Sequence, residues 1–536
     1  MKETLRNLTD RLMRADMSLG ALFATLSAVI IIRTYLEKLL SEGHRMLFTS
    51  SDFYACIVGD LHMYFSWVCI FLSMSVPLAV FLGVRYRDAI KLTLIGFCIT
   101  VFVPLADYAA TWGNGDEIRY FRSFDSFLYN YINLFNPFAS MKGVTAGVRL
   151  EVLTLFFGSF LVSLSGFRRG FVRSALLAFS LYTVVYVYGY ILPIHKFLGM
   201  DLDSLRPGSA AGINGAQALF FAYLGPFLLS LAGIALVMLK RERGSGKIIA
   251  CLFYPSRLLF YLWLLCFGFL YTAEQVGIFP NVLNRTDLLR FTAAAISIAL
   301  LFVYAKLIND EHDLEIDRVS NPERPLPNGN IGRSDARGLA AILAALSLVL
   351  AVPVERDFFY VWACLWGLSY IYSSPPFRLR RFWPLGHLTL ALIGTGVFLA
   401  GACVARPDDF YAVLEHKEII AYVLLAFFCL AHVKDLKDIE GDRAGGVFNI
   451  FGRVSSPKLL GLAFGGGFLL VASLIAIHIG LGTGAVLAGG LACAAGFIFI
   501  AWRAKAPAGL DYMLVASFLF LLYLSGLWTF HFIPAG

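Results

Sequence analysis

Apolar residues fill this chain in long unbroken runs, and polar residues gather in short stretches between them. About fifteen runs are legible, near 17–36, 63–83, 92–111, 150–167, 174–194, 213–239, 258–276, 289–309, 338–353, 357–372, 383–404, 418–434, 458–478, 482–502 and 510–532. Most hold about 18 to 22 residues, the length a helix needs to cross the ~30 Å hydrocarbon core of a bilayer. Backbone polar groups in lipid must be satisfied within the segment, so each run predicts a helix. The runs are continuously apolar and do not alternate, which excludes a transmembrane β-barrel. The run at 338–353 is short for a span and is expected to lie tilted or partly interfacial. The pattern predicts an all-α polytopic membrane protein.

Two polar stretches at the ends of apolar runs share an order. Residues 309–317 read N-D-E-H-D-L-E-I-D, and residues 435–442 read D-L-K-D-I-E-G-D. Aspartates recur at i, i+3 and i+7 in both: Asp310, Asp313 and Asp317, then Asp435, Asp438 and Asp442. At about 100° per residue these positions fall within roughly 60° of one another on a helix, so each stretch is expected to point three carboxylates one way. One such triad is usually a solvated face beside the membrane, but two with the same spacing at span ends call for another explanation. Carboxylates at a membrane boundary are costly unless something cationic neutralises them. With Asn309 they offer hard oxygen ligands that suit Mg²⁺, an ion that commonly bridges protein carboxylates to substrate phosphates. Arg378, Arg380, Arg381, Lys434 and Lys437 are the cations expected to neutralise further phosphate charge, arginine being suited to bidentate contact. Glu311, Glu315 and Glu440 fall off the acidic faces and are expected to be solvated. His312 is expected to be structural, and Cys429, Phe427 and Phe428 to serve packing.

Composition agrees with a membrane protein: 59% of the 536 residues are hydrophobic and 15% charged, with a mean hydropathy of +0.73. The net charge of +8 bears on topology, because no basic stripe with interleaved aromatics suggests nucleic acid. With the N-terminus cytoplasmic, the inside segments hold about 30 of the 44 basic residues, as the positive-inside rule requires. Both acidic stretches and Arg378, Arg380 and Arg381 then face the cytoplasm. The nine cysteines are scattered without a C-x-x-C pair and predict neither a metal site nor a disulfide framework, only small buried apolar side chains. No small-residue cleavage site follows the first run, which is therefore expected to be a span and not a signal peptide. The charged stretch K-R-E-R-G-S-G-K at 240–247 is the expected seam between a region 1–244, with about six spans, and a region 245–536, with about nine. The outside loop 112–149 is expected to pack over the helices, with Asp116, Glu117 and Asp125 as solvated charges.

Three motifs, in order, carry a resemblance. Residues 309–329, N-D-E-H-D-L-E-I-D-R-V-S-N-P-E-R-P-L-P-N-G, resemble the first signature of the UbiA superfamily of intramembrane prenyltransferases. Residues 434–443, K-D-L-K-D-I-E-G-D-R, resemble its second, and Y-I-Y-S-S-P-P-F-R-L-R-R at 370–381 resembles the Y-S-x-P-P-x-R-L-K-R segment between them. The resemblance covers about 250–536 and implies nine transmembrane helices around a central cavity open to lipid. It implies Mg²⁺-assisted transfer of a polyprenyl group from its diphosphate to a hydrophobic acceptor. Asn309, Asp310, Asp313 and Asp317 would bind one metal, and Asp435, Asp438 and Asp442 another. Asp310, Asp313, Asp435, Asp438 and Arg378 are the implied catalytic residues. Arg324, Tyr370, Tyr372, Arg380, Arg381, Lys434 and Lys437 are the implied substrate contacts. After the second signature, G-V-F-N-I-F-G-R at 446–453 departs from the family's Thr-Leu-Pro-like continuation. The first signature looks closest to branches acting on glycerol-phosphate ethers, chlorophyllide or homogentisate-like acceptors.

A transporter whose intramembrane carboxylates bind a cation is the competing class, but it predicts charges near the middle of spans, whereas these aspartates sit at span ends. A relative that has lost catalysis is disfavoured by the six intact aspartates. A soluble isoprenyl synthase is excluded by hydropathy, and a phosphatidyl-alcohol transferase by the missing D-x-x-D-G-x-x-A-R pattern. For residues 1–244 the expectation is a lipid-acceptor module or a platform for a partner enzyme. The chain is expected in a membrane, the cell inner membrane if bacterial, with its active site facing the cytoplasm.

Overall fold

The computed structural model describes residues 7–41, 53–112, 120–191, 215–241, 245–275, 285–406, 410–434, 439–503 and 511–532, apart from the single positions 8, 12, 122, 142, 445 and 449. The chain forms two compact units, Met1–Gly246 and Lys247–Gly536.

The first unit contains α1 (Leu19–Ser41), α2 (Phe53–Leu82), α3 (Tyr86–Ile99), α4 (Val103–Ala110), α5 (Phe124–Asn133), α6 (Ala146–Leu161), α7 (Phe171–Gly189), α8 (Gly215–Ala222) and α9 (Leu224–Arg241). Helix α10 (Ser245–Phe253) begins at the division. The second unit continues with α11 (Pro255–Gln275), α12 (Arg285–His312), α13 (Leu314–Ser320), α14 (Arg333–Ala351), α15 (Arg356–Ser373), α16 (Leu385–Ala405) and α17 (Phe410–Leu414). It ends with α18 (Lys417–Lys434), α19 (Ile439–Ala444), α20 (Pro457–His478), α21 (Thr483–Arg503) and α22 (Asp511–Phe532).

Every apolar run read from the sequence coincides with helix. Eleven helices among the described residues are long and apolar enough to cross a membrane. Four of the longer helices fall outside that number. In α15, tyrosines, tryptophans and an Arg356–Asp357 pair dilute the apolar character, and α18 has Lys417, Glu418 and Lys434 within its 18 residues. Helices α21 and α22 contribute the shorter apolar stretches Thr483–Phe499 and Ser517–Leu527. The stretch expected to be short for a span is a helix of 19 residues, α14. Two cysteines depart from expectation: Cys98 and Cys364 are exposed on their helices, where a thiol tolerates lipid as readily as a core.

In the first unit, the described part of the 112–149 loop packs against α6 and α7. Tyr182 donates to the Tyr131 carbonyl and Tyr186 to that of Asn130 at 3.2 Å. Phe121, Leu134, Val152, Tyr182 and Tyr186 form one buried cluster. Thr145 caps α6 by accepting from the Val148 amide, and its hydroxyl donates to Asp107 at 2.7 Å. Asp125 is exposed, and Asp116 and Glu117 lie outside the described residues.

The second unit is arranged around α16, whose sequence L-G-H-L-T-L-A-L-I-G-T-G-V-F-L-A-G-A-C-V-A is rich in small residues. Between helices in lipid there is little hydrophobic driving force, so association relies on close packing that small residues allow. A Cβ added at Gly401 would lie 1.9 Å from the Leu265 carbonyl oxygen, and one at Gly268 equally near that of Phe398. Helices α11 and α16 therefore meet backbone to backbone. At Gly394 the missing side chain leaves room for the Phe427 ring of α18. These contacts fix α11, α16 and α18 around the chamber described below.

Gly401→Val should force α11 from α16 and cost on the order of 3 kcal/mol. The measurement is the thermal midpoint and size-exclusion profile of the detergent-purified protein. Gly367→Ala, whose added methyl meets nothing within 4 Å, should leave both unchanged.

Candidate functional site

The first acidic stretch does not form one helix. α12 stops at His312, Asp313 takes φ −102° and ψ 13°, and α13 starts at Leu314. Asp313 N donates to the Asn309 carbonyl at 3.0 Å and Asp317 N to that of Asp313 at 2.8 Å, so the chain stays coiled across the break. Neither proline nor glycine causes it. The Asp313 carboxylate is instead drawn towards Arg378 and Arg380.

The break corrects the expectation that the three aspartates face one way. Asp310 and Asp317 share a partner: Arg324 Nη1 reaches Asp310 Oδ1 at 3.1 Å and Asp317 Oδ2 at 2.7 Å. Lys306 Nζ lies 2.5 Å from Asp310 Oδ2, and Asn321 Nδ2 donates to Asp317 Oδ1 at 2.9 Å. Asp313 turns elsewhere, with Arg378 Nη2 at 3.3 Å from Oδ1 and Arg380 Nη1 against Oδ2. Arg380 Nη2 also reaches Asp442 Oδ1 at 3.5 Å, which links the second acidic stretch to the first.

Asp310, Asp313, Asp317 and Asp442 are all buried, at 5% exposure or less. Ionised carboxylates at that burial require opposite charge and hydrogen bonds at close range. For Asp317, burial still pushes the carboxyl up from its ordinary range, against Arg324 and Asn321, which draw it down.

The loop after α15 brings in the arginines. Arg378 adopts φ 42° and ψ 53°, a left-handed conformation costing about 1–2 kcal/mol for a residue with a Cβ. In that conformation Arg378 Nη2 donates to the His312 carbonyl at 2.9 Å, closing over the α12 break. Two residues on, Arg380 Nη1 donates to Asn309 Oδ1 at 3.2 Å, an oxygen Ser373 Oγ also reaches at 3.2 Å.

These groups end a cavity of about 230 Å³. Its polar end holds Lys306, Asn309, Asp310, Asp317, Asn321, Arg324, Arg380 and Asp442. Its remaining wall is mostly apolar and aromatic, with Phe260, Tyr261, Phe302, Phe427 and Phe518, and also includes Ser256, Arg257, Ser369 and Ser373. Tyr372 lines it as well. Phe427 thus packs, as expected, but also forms part of this wall.

Asp313, Tyr370, Arg378 and Arg381 are not among the residues lining the cavity. Tyr370 is 42% exposed and stacks on Trp366, while Arg378 acts on the backbone of the α12 break. Asp435, Lys437 and Asp438 lie outside the described residues, as do the side chains of Lys434 and Glu440. Glu311, expected to be solvated, instead pairs with Arg337 at 2.5 Å and keeps only 9% of its side chain exposed. Glu315 is exposed and pairs with Arg318 at 2.9 Å. Lys306 and Asn321 went unread as site residues, although each lies four positions from an aspartate, the spacing of neighbours on one helix face.

Among the described residues no group of three or more His, Cys, Asp or Glu side chains is gathered as a ready metal cluster. Mg²⁺ does not require one: it keeps several waters and is usually held by one or two carboxylates plus substrate phosphates. Asp310, Asp317 and Asp442, with the Asn309 and Asn321 amides, offer that donor type on one cavity.

The UbiA prenyltransferase family model matches residues 261–511. Digeranylgeranylglyceryl phosphate synthase of Methanocaldococcus jannaschii is 28% identical over 182 residues, 33% of this chain and 62% of that protein. Chloroplastic chlorophyll synthase of Oryza sativa subsp. japonica is 33% identical over 153 residues, 27% of this chain and 39% of that protein. A solved UbiA homologue from Archaeoglobus fulgidus, bound to GPP and Mg²⁺, shares 18% identity at a TM-score of 0.38, covering 52% of this chain and 99% of its own. This chain spans roughly two-fifths to three-fifths of the length of those two synthases. Residues 261–511 are a UbiA prenyltransferase family domain.

Proposed function

We infer that the second unit transfers a polyprenyl group from its diphosphate to a hydrophobic acceptor, with Mg²⁺, and releases diphosphate. One observation carries this reading: a single cavity joins an aromatic, apolar chamber to an end where buried carboxylates from both acidic stretches meet Arg324, Arg380 and Lys306. A molecule with a long apolar tail and a multiply charged anionic head fits that division. The names of the similar synthases, whose products are a glyceryl phosphate and chlorophyll, favour an acceptor of lipid character. The weight of basic residues in the segments on the same side as the carboxylates supports a cytoplasmic face for them.

Asn309, Asp310, Asp317 and Asp442 would hold Mg²⁺, together with Asp435 and Asp438. When bound, the metal supplies Lewis-acid stabilisation to the departing diphosphate. Arg324, Arg380 and Lys306 point donors at the same end, where negative charge grows as the allylic carbon–oxygen bond stretches. The aromatic wall holds the tail and keeps water from the cationic carbon until the acceptor attacks. Arg378 acts indirectly, by fixing the α12 break that separates Asp310 and Asp317 from Asp313. Tyr372 is assigned to substrate contact, whereas Tyr370, Arg381, Lys434 and Lys437 remain candidates from sequence.

Lipid mass spectrometry on membranes given labelled prenyl diphosphates of several lengths tests the reading. Asp310→Ala or Asp438→Ala should abolish Mg²⁺-dependent diphosphate release while the protein still inserts; unchanged turnover in either variant would refute it.

Arg324→Lys should lower turnover by about a hundredfold, since an ammonium cannot reproduce the guanidinium's planar reach to two carboxylates. Arg337→Ala removes a cation of the same region that pairs outside the cavity, and should leave turnover within about twofold. Steady-state diphosphate release compares the two variants.

A further inference from the structure

The first unit encloses a second cavity, of about 400 Å³, which the transferase reading does not use. Its wall follows one face of α2 through Met63, Trp67, Ile70, Met74, Leu78 and Leu82. At 1.5 Å per residue that line is about 28 Å long, close to the thickness of a bilayer's hydrocarbon core. Two glycines keep it open: a Cβ added at Gly96 of α3 or Gly158 of α6 would meet nothing within 4 Å.

Four hydroxyls along the wall are turned to their own helices. Ser66 donates to Met63, Thr93 to Ala89, Thr100 to Phe97 and Ser159 to Phe156. A cluster of polar side chains lies at the Met63 end. There Tyr223 donates to the Tyr120 hydroxyl at 2.9 Å, and Tyr120 meets His62 Nε2 at 2.9 Å. Glu151 also lines the cavity, and among the described residues no hydrogen-bond donor or ion-pair partner reaches it. The charges that act on it are Arg33, Glu37 and Asp107. Arg33 pairs with Glu37 through Nη1 at 2.5 Å and lies over the Trp67 ring at 4.4 Å, while its Nε and Nη2 are buried without a hydrogen-bond partner among the described residues. Asp107 is committed to Thr145 and to the Gly147 amide at 2.5 Å.

A carboxyl inside a membrane-spanning unit is costly unless a partner meets it. The partner that Glu151 lacks among the described residues can be supplied by the occupant. We propose that the first unit binds one long-chain lipid lengthwise in this cavity, its head group donating a hydrogen bond to Glu151 beside Tyr120. The chemical class is a lipid alcohol or amine. A phosphate head is disfavoured, because among the described residues the carboxylates Glu151, Glu37 and Asp107 outnumber the one arginine acting there, Arg33. This inference is independent of the transferase reading and of the second unit.

The test uses the full-length protein in detergent and three diazirine-bearing probes of equal chain length: a long-chain alcohol, the matching amine and the matching phosphate monoester. Photolysis and peptide mass spectrometry locate the label. The alcohol or the amine should label peptides of α2, α3 and α6 about tenfold more than the phosphate, the ratio of one lost hydrogen bond to a charged group. Whichever of the two labels more strongly identifies the head. Gly158→Leu should suppress labelling at these helices by a similar factor; Gly96→Leu serves if that variant does not elute like the wild type. Glu151→Gln should raise phosphate labelling towards that of the alcohol. Equal labelling by the phosphate in the wild type, or labelling that both glycine variants leave intact, would overturn the proposal.

Discussion

Four carboxylates buried where apolar helices end are held by cations from three separate stretches of chain. Lys306 comes from α12 itself, Arg324 from the turn beyond α13, and Arg378 and Arg380 from the loop after α15. Breaking one member of such a set strands a buried charge, at a cost of roughly 3–5 kcal/mol. The set therefore ties α12, α13, α15 and α19 together electrostatically, in a place where apolar packing against lipid cannot. Its charges nearly cancel, so an anionic ligand and its counter-cation can enter as a pair without leaving the site strongly charged.

Packing supplies the frame for that set. Gly268 and Gly401 let α11 and α16 approach at backbone distance, Gly394 makes room for the Phe427 ring of α18, and Phe260, Tyr261 and Phe427 of the chamber's aromatic wall stand on α11 and α18. Close helix contacts of this kind leave little freedom to slide.

Much of this was legible in the linear chain. Continuous apolar runs mark helices because lipid leaves the backbone no other partner, and where they are described the runs are helical, two of them divided between successive helices. The aspartate spacing located the polar end of the chamber, but equal phase on an ideal helix does not survive a break, and nothing local at Asp313 announces one. Its cause, the pull of Arg378 and Arg380, comes from some 65 residues downstream. Arg324 was read as a substrate contact, yet in the structure it bridges Asp310 and Asp317. Glu311 was read as solvated because its helical phase differs from the aspartates; Arg337 meets it from α14. Such pairings depend on which helices become neighbours, and periodicity within one helix carries no information about that.

Position 378 is under two opposed demands. Its backbone conformation is one that glycine or asparagine adopts without penalty, while its guanidinium reaches both the His312 carbonyl and Asp313. Relief of the backbone strain alone would replace the arginine, and would free the end of α12 in doing so. Laboratory evolution of this chain towards heat tolerance should accordingly be steered away from that loop, however attractive its strain makes it as a target.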